Sequence, residues 1–583
     1  MKKKDDLFNH LEFLYGKDTA VDLHCVINEV IIKQKHLTPP RGTEIAFSQK
    51  DTILITYPDI VGNTKGTPLK TLGTFLSKWV SEVISTIHIL PFFPFSSDDG
   101  FSVIDYKKVN PEYGNWEDVG KLGENFQLMF DAVLNHISAS SFWFKGFLEG
   151  KSKYRDFFIT IEEDEDLGDV FRPRELPLKT PVETSTGRKF VWTTFSSDHI
   201  DLNYQNPQLL LEMINVLLLY ILKGADYIRL DAVAYIWKEK GTNCIHLPQA
   251  HSIVQIFRII FNEVAPWVKI ITETNVPHED NISYFGNGEN EAQLVYNFSL
   301  PPLVLHAFHT GNAKILSRWA SSLVTSSKNT TFFNFLASHD GIGVMPVCGI
   351  LEKEEVEAMA NRVKLLGGSV SYKNNADGTK SPYELNINYL DALCDPEKPD
   401  ESETIIAKRF LASQAIMLAL KGIPGIYFHS LFGSRNWIDG LSVTGRARTI
   451  NREKLEVESL EDELNRIGSL RNLVFSGYEN LLTNRKSNSA FHPNGEQSVF
   501  NLHKGVFSVL RTSPDGETTV ICLHNVLDKL LEVNILLTDL GIAHAEKLMD
   551  LLSENIYIVD NDTVAIRMES YSVLWLNVGF IND

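Results

Sequence analysis

At 583 residues, with 43% hydrophobic and 22% charged side chains, the chain can bury a large core and more than one domain, which excludes disorder as its organising state. Its formal charge of −19 repels a polyphosphate backbone and excludes nucleic acid as a main partner. A small anion is not excluded, because a local cation cluster dominates once distant charges are screened beyond about 8 Å.

The first residues, MKKKDDLFNHLEFLYG, lack an apolar targeting core, and no stretch approaches the ~18 apolar residues of a membrane span. Cys25, Cys244, Cys348, Cys394 and Cys522 are widely spaced with no CxxC pair, which suits a reducing compartment and gives no metal signature. The expectation is a cytoplasmic protein with no membrane anchor. Residues 1–50 read as an N-terminal helical extension, from LFNHLEFLYG and VDLHCVINEVIIKQK.

From there, eight short β-branched and aromatic runs alternate with amphipathic helical stretches: TILITY, TIHIL, LMFDAVLN, YIRLDA, KIITET, QLVYNF, TFFNFLA and GIYFHS. This alternation predicts an α/β fold, a (β/α)8 barrel over residues 51–490. The span from Thr52 to Ser430 exceeds the roughly 250 residues of a typical barrel, so insertions are expected at about 137–205 and 341–402. Both insertions are expected near the strand ends. Beyond, at 491–583, alternating runs such as SVFNLH, VFSVLRT, TTVICLHNV and YSVLWLNV, with PDGE as a hairpin signal, predict a C-terminal all-β domain.

The residues at the end of each run point to function. Asp59, the Pro91–Asp99 segment, Asn135 with His136, Arg229 with Asp231, Glu273, Asn297, His339 with Asp340, and His429 all stand at strand ends, where barrel enzymes build their sites. Arg229 and Asp231 lie two apart on one strand, hence on one face, so the guanidinium can hold the carboxylate ionised. Glu273 ends the next strand. Two carboxyls about 5 to 5.5 Å apart suit a retaining glycosidase, one attacking the anomeric carbon and one protonating the leaving oxygen. Asp340 supplies a third carboxylate, and His136 and His339 further polar contacts. Neither a strand-linked GxGxxG nor a P-loop occurs, so no nucleotide, nicotinamide or pyridoxal cofactor is expected, and the acidic IEEDEDLGD reads as a solvated loop.

DAVLNH, RLDA, ITETN and SHDG, in that order, resemble the α-amylase-type superfamily of retaining α-glucosidases and transglucosidases. The resemblance implies Asp231 as nucleophile, Glu273 as acid/base and Asp340 as transition-state stabiliser. HILPFFPFSSDDGFSVIDY, RPRELP, LDAVAYIWKEKGTNC and ASHDGIGV narrow it to the sucrose phosphorylase subfamily. ITETNVPHEDNISYFG, DLNYQNP and NFSLPPLVLHA are most similar to glucosylglycerate phosphorylases within it.

That resemblance implies reversible phosphorolysis through a covalent glucosyl-enzyme, with a sugar, phosphate and glycerate as partners and neither metal nor cofactor required. It places Asp98 and Arg448 on the non-reacting edge of glucose, His136 and His339 nearby, and Phe101 and Phe195 as apolar walls. Arg174 takes the role of phosphate contact, with Arg172, Lys373 and Lys380 as further acceptor-side cations. Sucrose, sucrose 6'-phosphate and glucosylglycerol phosphorolysis are the alternatives, and a non-catalytic amylase-like scaffold the remote one. One departure stands out: His199 replaces the Gln that sucrose phosphorylases carry before the Asp-containing pair closing the first insertion.

Overall fold

The computed structural model describes residues 2–38, 47–63, 65–173, 176–374, 379–543 and 545–579. Eight parallel strands close into a barrel: β1 (Ile53–Thr56), β2 (Thr86–Ile89), β3 (Gln127–Val133), β4 (Ala225–Asp231), β5 (Lys269–Thr272), β6 (Leu294–Tyr296), β7 (Thr331–Phe335) and β8 (Ile423–Tyr427). Each pairs with its neighbours in chain order, and β8 returns to β1. These are the eight runs expected from the sequence. Their residues are almost all buried, as strands covered on both faces must be.

The crossover helices include α3 (Pro68–Trp79), α4 (Trp116–Leu122), α5 (Pro207–Leu222), α6 (Pro248–Val264), α7 (Leu300–Thr310), α8 (Glu403–Ala419) and α9 (Leu470–Ser487), numbered after two N-terminal helices. Their starts carry legible signals. Pro occupies the first turn of α3, α5, α6 and α7, where no intrahelical partner is lost. Ser469 caps α9 by accepting from the Asn472 amide. The N-terminal helices, α1 (Lys2–Tyr15) and α2 (Lys17–Leu37), lie against α5 and α6 and bury Leu7, Leu11, Leu23, Ile27 and Ile31 there.

The chain between β3 and α5 forms a small three-stranded sheet from Thr160–Ile161, Lys179–Thr184 and Gly187–Trp192. It returns as an antiparallel pair, His136–Ser138 against His199–Asp201, which brings both ends of this excursion to the mouth of β3. The acidic segment within it is folded around a cation of the chain itself: Lys179 Nζ donates to the carbonyls of Glu162, Glu163 and Glu165. Between β7 and α8 lie a helix, Lys353–Leu365, and a hairpin, Ser369–Asn374 with Lys380–Asn386.

The C-terminal part is a six-stranded sheet with a two-stranded layer on it. In order along the sheet run β9 (Glu496–Phe500), β10 (Val506–Thr512), β11 (Thr519–Asn525), β16 (Val573–Val578), β13 (Lys547–Asp550) and β14 (Ile556–Ile558). The second layer is β12 (Leu531–Leu536) with β15 (Thr563–Met568). The four runs read from the sequence are β9, β10, β11 and β16, and the expected hairpin joins β10 to β11. The other four strands carry short or weakly apolar alternation, with outward residues such as Glu532 and Arg567 exposed. One face packs Phe507, Val509, Cys522 and Trp575 into the barrel core, while Ile521, Leu523, Ile566 and Leu576 form a separate core under the small layer.

Candidate active site

The site begins with charges buried inside the barrel. β3 and β4 pair so that Asp131 lies opposite Arg229, and the two-residue repeat puts Asp231 on the same face. Arg229 Nη1 donates to both Asp131 and Asp231, at 2.7 Å for the latter, and Nε donates to the Tyr296 hydroxyl at 3.1 Å. Glu273 is further off, with Oε2 3.9 Å from Arg229 Nη2. Behind them His88 meets Asp131 at 2.8 Å. A guanidinium with 2% of its surface exposed persists in a barrel because its nitrogens meet carboxylates and a hydroxyl.

Directly after Asp231, Ala232 adopts a left-handed backbone (φ 50°), a conformation that costs an alanine about 1–2 kcal/mol. The turn aims the Ala232 amide at Glu273 Oε2, 3.1 Å away. Asp98 and Asp99 are also left-handed, at φ 54° and 51°. Positive-φ residues therefore stand in two separate segments, at Asp98–Asp99 and in the turn after β4, where the surrounding structure holds them.

These residues open into one cavity. Asp98, Phe101, His136, Phe195, Asp231, Glu273, His339, Asp340 and Arg448 all line it. Arg229 stands behind its floor. Phe101 stacks on His339 with ring centres 4.8 Å apart and planes 5° apart, a flat apolar wall continued by Phe195 beside His136 at 5.3 Å. Opposite, Arg448 donates to Asp340 and, through Nε and Nη2, to both oxygens of Glu384, at 3.2 and 2.8 Å.

Not every expected residue arrives there. Arg174 lies outside the described residues, though Pro173 before it lines the cavity. Arg172, Lys373 and Lys380 do not line it. Among the other strand-end residues, Asp59 pairs with Lys454, and Asn297 and His429 are buried structural groups bonded to Asn334 and Ser434. His199 does line the cavity, its ring 4.4 Å from that of His136.

Sequence reasoning gave no role to Tyr235, Asn275, Tyr383 and Glu384, all of which line the cavity. Tyr383 and Glu384 come from the hairpin after β7, which no strand-end rule can place. Lys238 was missed as well. Its ammonium, with 6% of the residue exposed, contacts Asp201 Oδ2 at 2.8 Å, Asn135 Oδ1 at 2.7 Å and the Tyr235 carbonyl. Asp201 also accepts from Thr194. Lys238 thus acts as a built-in cation that ties the first excursion to the ends of β3 and β4.

The electrostatics separate the three carboxyls. Burial pushes the Asp231 carboxyl up, with Arg229 opposing and Glu273 adding to the rise. Burial likewise raises Glu273, against the pull of Arg229. The two carboxyls titrate as a pair, and Arg229, in direct contact with Asp231 at 2.7 Å but 3.9 Å from Glu273, favours the charge on Asp231 over that on Glu273. Burial also pushes Asp340 up, but the Arg448 guanidinium, with Arg452 behind it, outweighs burial and holds this carboxylate well below the usual range. His339 is pushed down to about 3, chiefly by burial, and is therefore neutral.

Comparison with known proteins agrees with this geometry. The family model described as the alpha-amylase catalytic domain matches residues 81–372. A glucosylglycerate phosphorylase of Spirochaeta thermophila is 48% identical over 99% of both chains. The chain belongs to the α-amylase family, among its glucosylglycerate phosphorylases. A second such relative, from Escherichia coli (strain K12), is 43% identical over 98% of this chain and all of its own. Among solved structures, sucrose 6F-phosphate phosphorylase from Thermoanaerobacter thermosaccharolyticum superposes with a TM-score of 0.72 at 25% identity, covering 89% of this chain and 99% of that one. Family membership extends over the barrel and the β-sheet that follows it.

Proposed function

We propose that this chain is a retaining glucoside phosphorylase, a hexosyltransferase that reversibly converts 2-O-α-glucosyl-D-glycerate and phosphate into α-D-glucose 1-phosphate and D-glycerate. It is an enzyme acting on glucosides, with a small sugar and phosphate as partners. The observation that carries the substrate is the near-full-length likeness to glucosylglycerate phosphorylases. We place it in the cytoplasm, where widely spaced, unpaired cysteines are at home; among the described residues no helix is long and apolar enough to cross a membrane.

The uneven grip of Arg229 supports the division of labour. Asp231, held ionised at 2.7 Å, attacks the anomeric carbon, while Glu273 gives its proton to the glycosidic oxygen and D-glycerate departs. Phosphate then attacks the covalent glucosyl intermediate from the face the glycerate left. Glu273 takes back the proton, and α-glucose 1-phosphate forms with net retention. Asp340, fixed by Arg448, hydrogen-bonds sugar hydroxyls as the oxocarbenium-like transition state develops.

Asp98 and Arg448 hold the far edge of glucose, His136 and His339 donate or accept at its hydroxyls, and Phe101 and Phe195 cover its apolar faces. Arg174 is assigned to phosphate by the family resemblance. The reading is tested by supplying α-glucose 1-phosphate with D-glycerate, fructose, fructose 6-phosphate or glycerol and following phosphate release. D-glycerate is expected to be the best acceptor. No release with D-glycerate would overturn the assignment, and preference for another acceptor would name the alternative phosphorylase.

A further inference from the structure

The glucose cavity opens outward into a second, wider chamber. The two share Asp98, His199, Tyr383, Glu384 and Arg448, so a bound molecule can have one end at the catalytic carboxyls and the other in the outer space. The segment RARTINR sends three arginines to the outer chamber, and they differ in what they already hold. Arg448 is engaged by Asp340 and Glu384. Arg452 is engaged by Asp99 and the His339 carbonyl, and its Nη2 faces Asp340 Oδ1 at 3.8 Å.

Arg446 is different. It follows Gly445, whose left-handed backbone (φ 65°) ends the helix Ile438–Thr444 and turns the chain toward the chamber. Arg446 is exposed and lines the chamber, and among the described residues it forms no ion pair. In a chain with 74 acidic against 55 basic residues, carboxylate partners are abundant. Arg446 is thus a solvated cation at the mouth of an anion-using site, available to an anionic ligand.

We propose that Arg446 binds the carboxylate of the acceptor and so selects a small hydroxy acid over a neutral polyol. This rests on the reading of the chain as a glucosylglycerate phosphorylase. When the C2 oxygen of D-glycerate reaches the anomeric carbon, its carboxylate is one carbon away and can turn toward the outer chamber, which adjoins the glucose cavity. A planar guanidinium matches that group with two parallel hydrogen bonds. Inorganic phosphate shares the oxyanion chemistry and attacks the same carbon, but its charged oxygens sit on the atom bonded to the attacking oxygen, one bond nearer the anomeric carbon than the oxygens of the glycerate carboxylate, so it reaches less far toward Arg446.

The test compares wild type, Arg446→Ala and Arg446→Lys, with α-glucose 1-phosphate as donor and D-glycerate or glycerol as acceptor, and with inorganic phosphate in phosphorolysis. Arg446→Ala is expected to raise the KM for D-glycerate about ten- to hundredfold and to lower the preference for D-glycerate over glycerol by a similar factor. The KM for phosphate rises less, and Arg446→Lys recovers part of the preference. An unchanged preference overturns the proposal, as does a rise in KM for phosphate that matches the rise for D-glycerate. A wild-type enzyme that glucosylates glycerol or fructose but not D-glycerate instead overturns the reading of function, and this proposal with it.

Discussion

The inner cavity and the rim of the outer chamber at Arg446 treat their cations differently. In and behind the inner cavity the charges are paired before any ligand arrives: Arg229 holds Asp131 and Asp231, Arg448 bridges Asp340 and Glu384, and Lys238 is enclosed by three oxygens. In the outer chamber Arg446 is exposed and unpaired among the described residues. A preorganised lattice stabilises developing charge without reorganising at the moment of reaction, which suits the half of the substrate that every step shares. An open rim with a solvated cation suits the half that changes between D-glycerate and phosphate. The difference teaches that the chemistry and the acceptor choice reside in separable parts of the molecule.

Substitutions can break that separation or sharpen it. Asp231→Asn removes the proposed nucleophile and should cost about 10⁴- to 10⁶-fold in kcat for every acceptor alike, with an unchanged unfolding midpoint; an enzyme with near-normal turnover would sink the role. Glu273→Gln should cost about 10²- to 10⁴-fold with 2-O-α-glucosyl-D-glycerate, and far less in the first step with α-glucosyl fluoride, whose leaving group needs no proton. Burial raises the Glu273 carboxyl above its ordinary value, so the acid form is present below the raised value and is lost as pH climbs through it. Wild-type kcat/KM should therefore fall on the alkaline side, and the Gln variant should lose that limb. A Gln variant that retains the limb would assign the acid elsewhere.

A smaller effect is expected at the shared wall. Glu384→Gln keeps the shape but removes the charge that Arg448 grips with two nitrogens. The KM for α-glucose 1-phosphate should rise about tenfold, equally with D-glycerate and glycerol, because the lattice and not the acceptor site is loosened. This uniform loss contrasts with the selective loss expected at Arg446. A selective effect of Glu384→Gln would merge the two regions.

Much of the barrel was legible because its strands are short, apolar on both faces and bounded by polar residues at their ends. RLDA is readable on its own: the two-residue spacing forces Arg229 and Asp231 onto one face before any partner is known. Asp131 and His88 were not assigned, since a polar residue within an apolar run reads as an isolated exception until the register of β2, β3 and β4 lines it up with Arg229. Glu384, Tyr383 and Lys238 gave still less signal. Their neighbours in sequence are turn residues and lysines like those of any exposed loop.

The sequence by itself determined the eight strands, the order of Asp231, Glu273 and Asp340 along them, and the change to β structure toward the C-terminus, because hydrophobic period and strand-end chemistry are local properties. Tertiary structure alone decided which cations are engaged and which remain available. Arg446, Arg448 and Arg452 stand within seven residues of RARTINR and look equivalent in sequence. They acquire different tasks only when β7 delivers Asp340, the hairpin delivers Glu384, and Asp99 arrives from after β2. A charge is defined by its neighbours in space, and those neighbours are far apart along the chain.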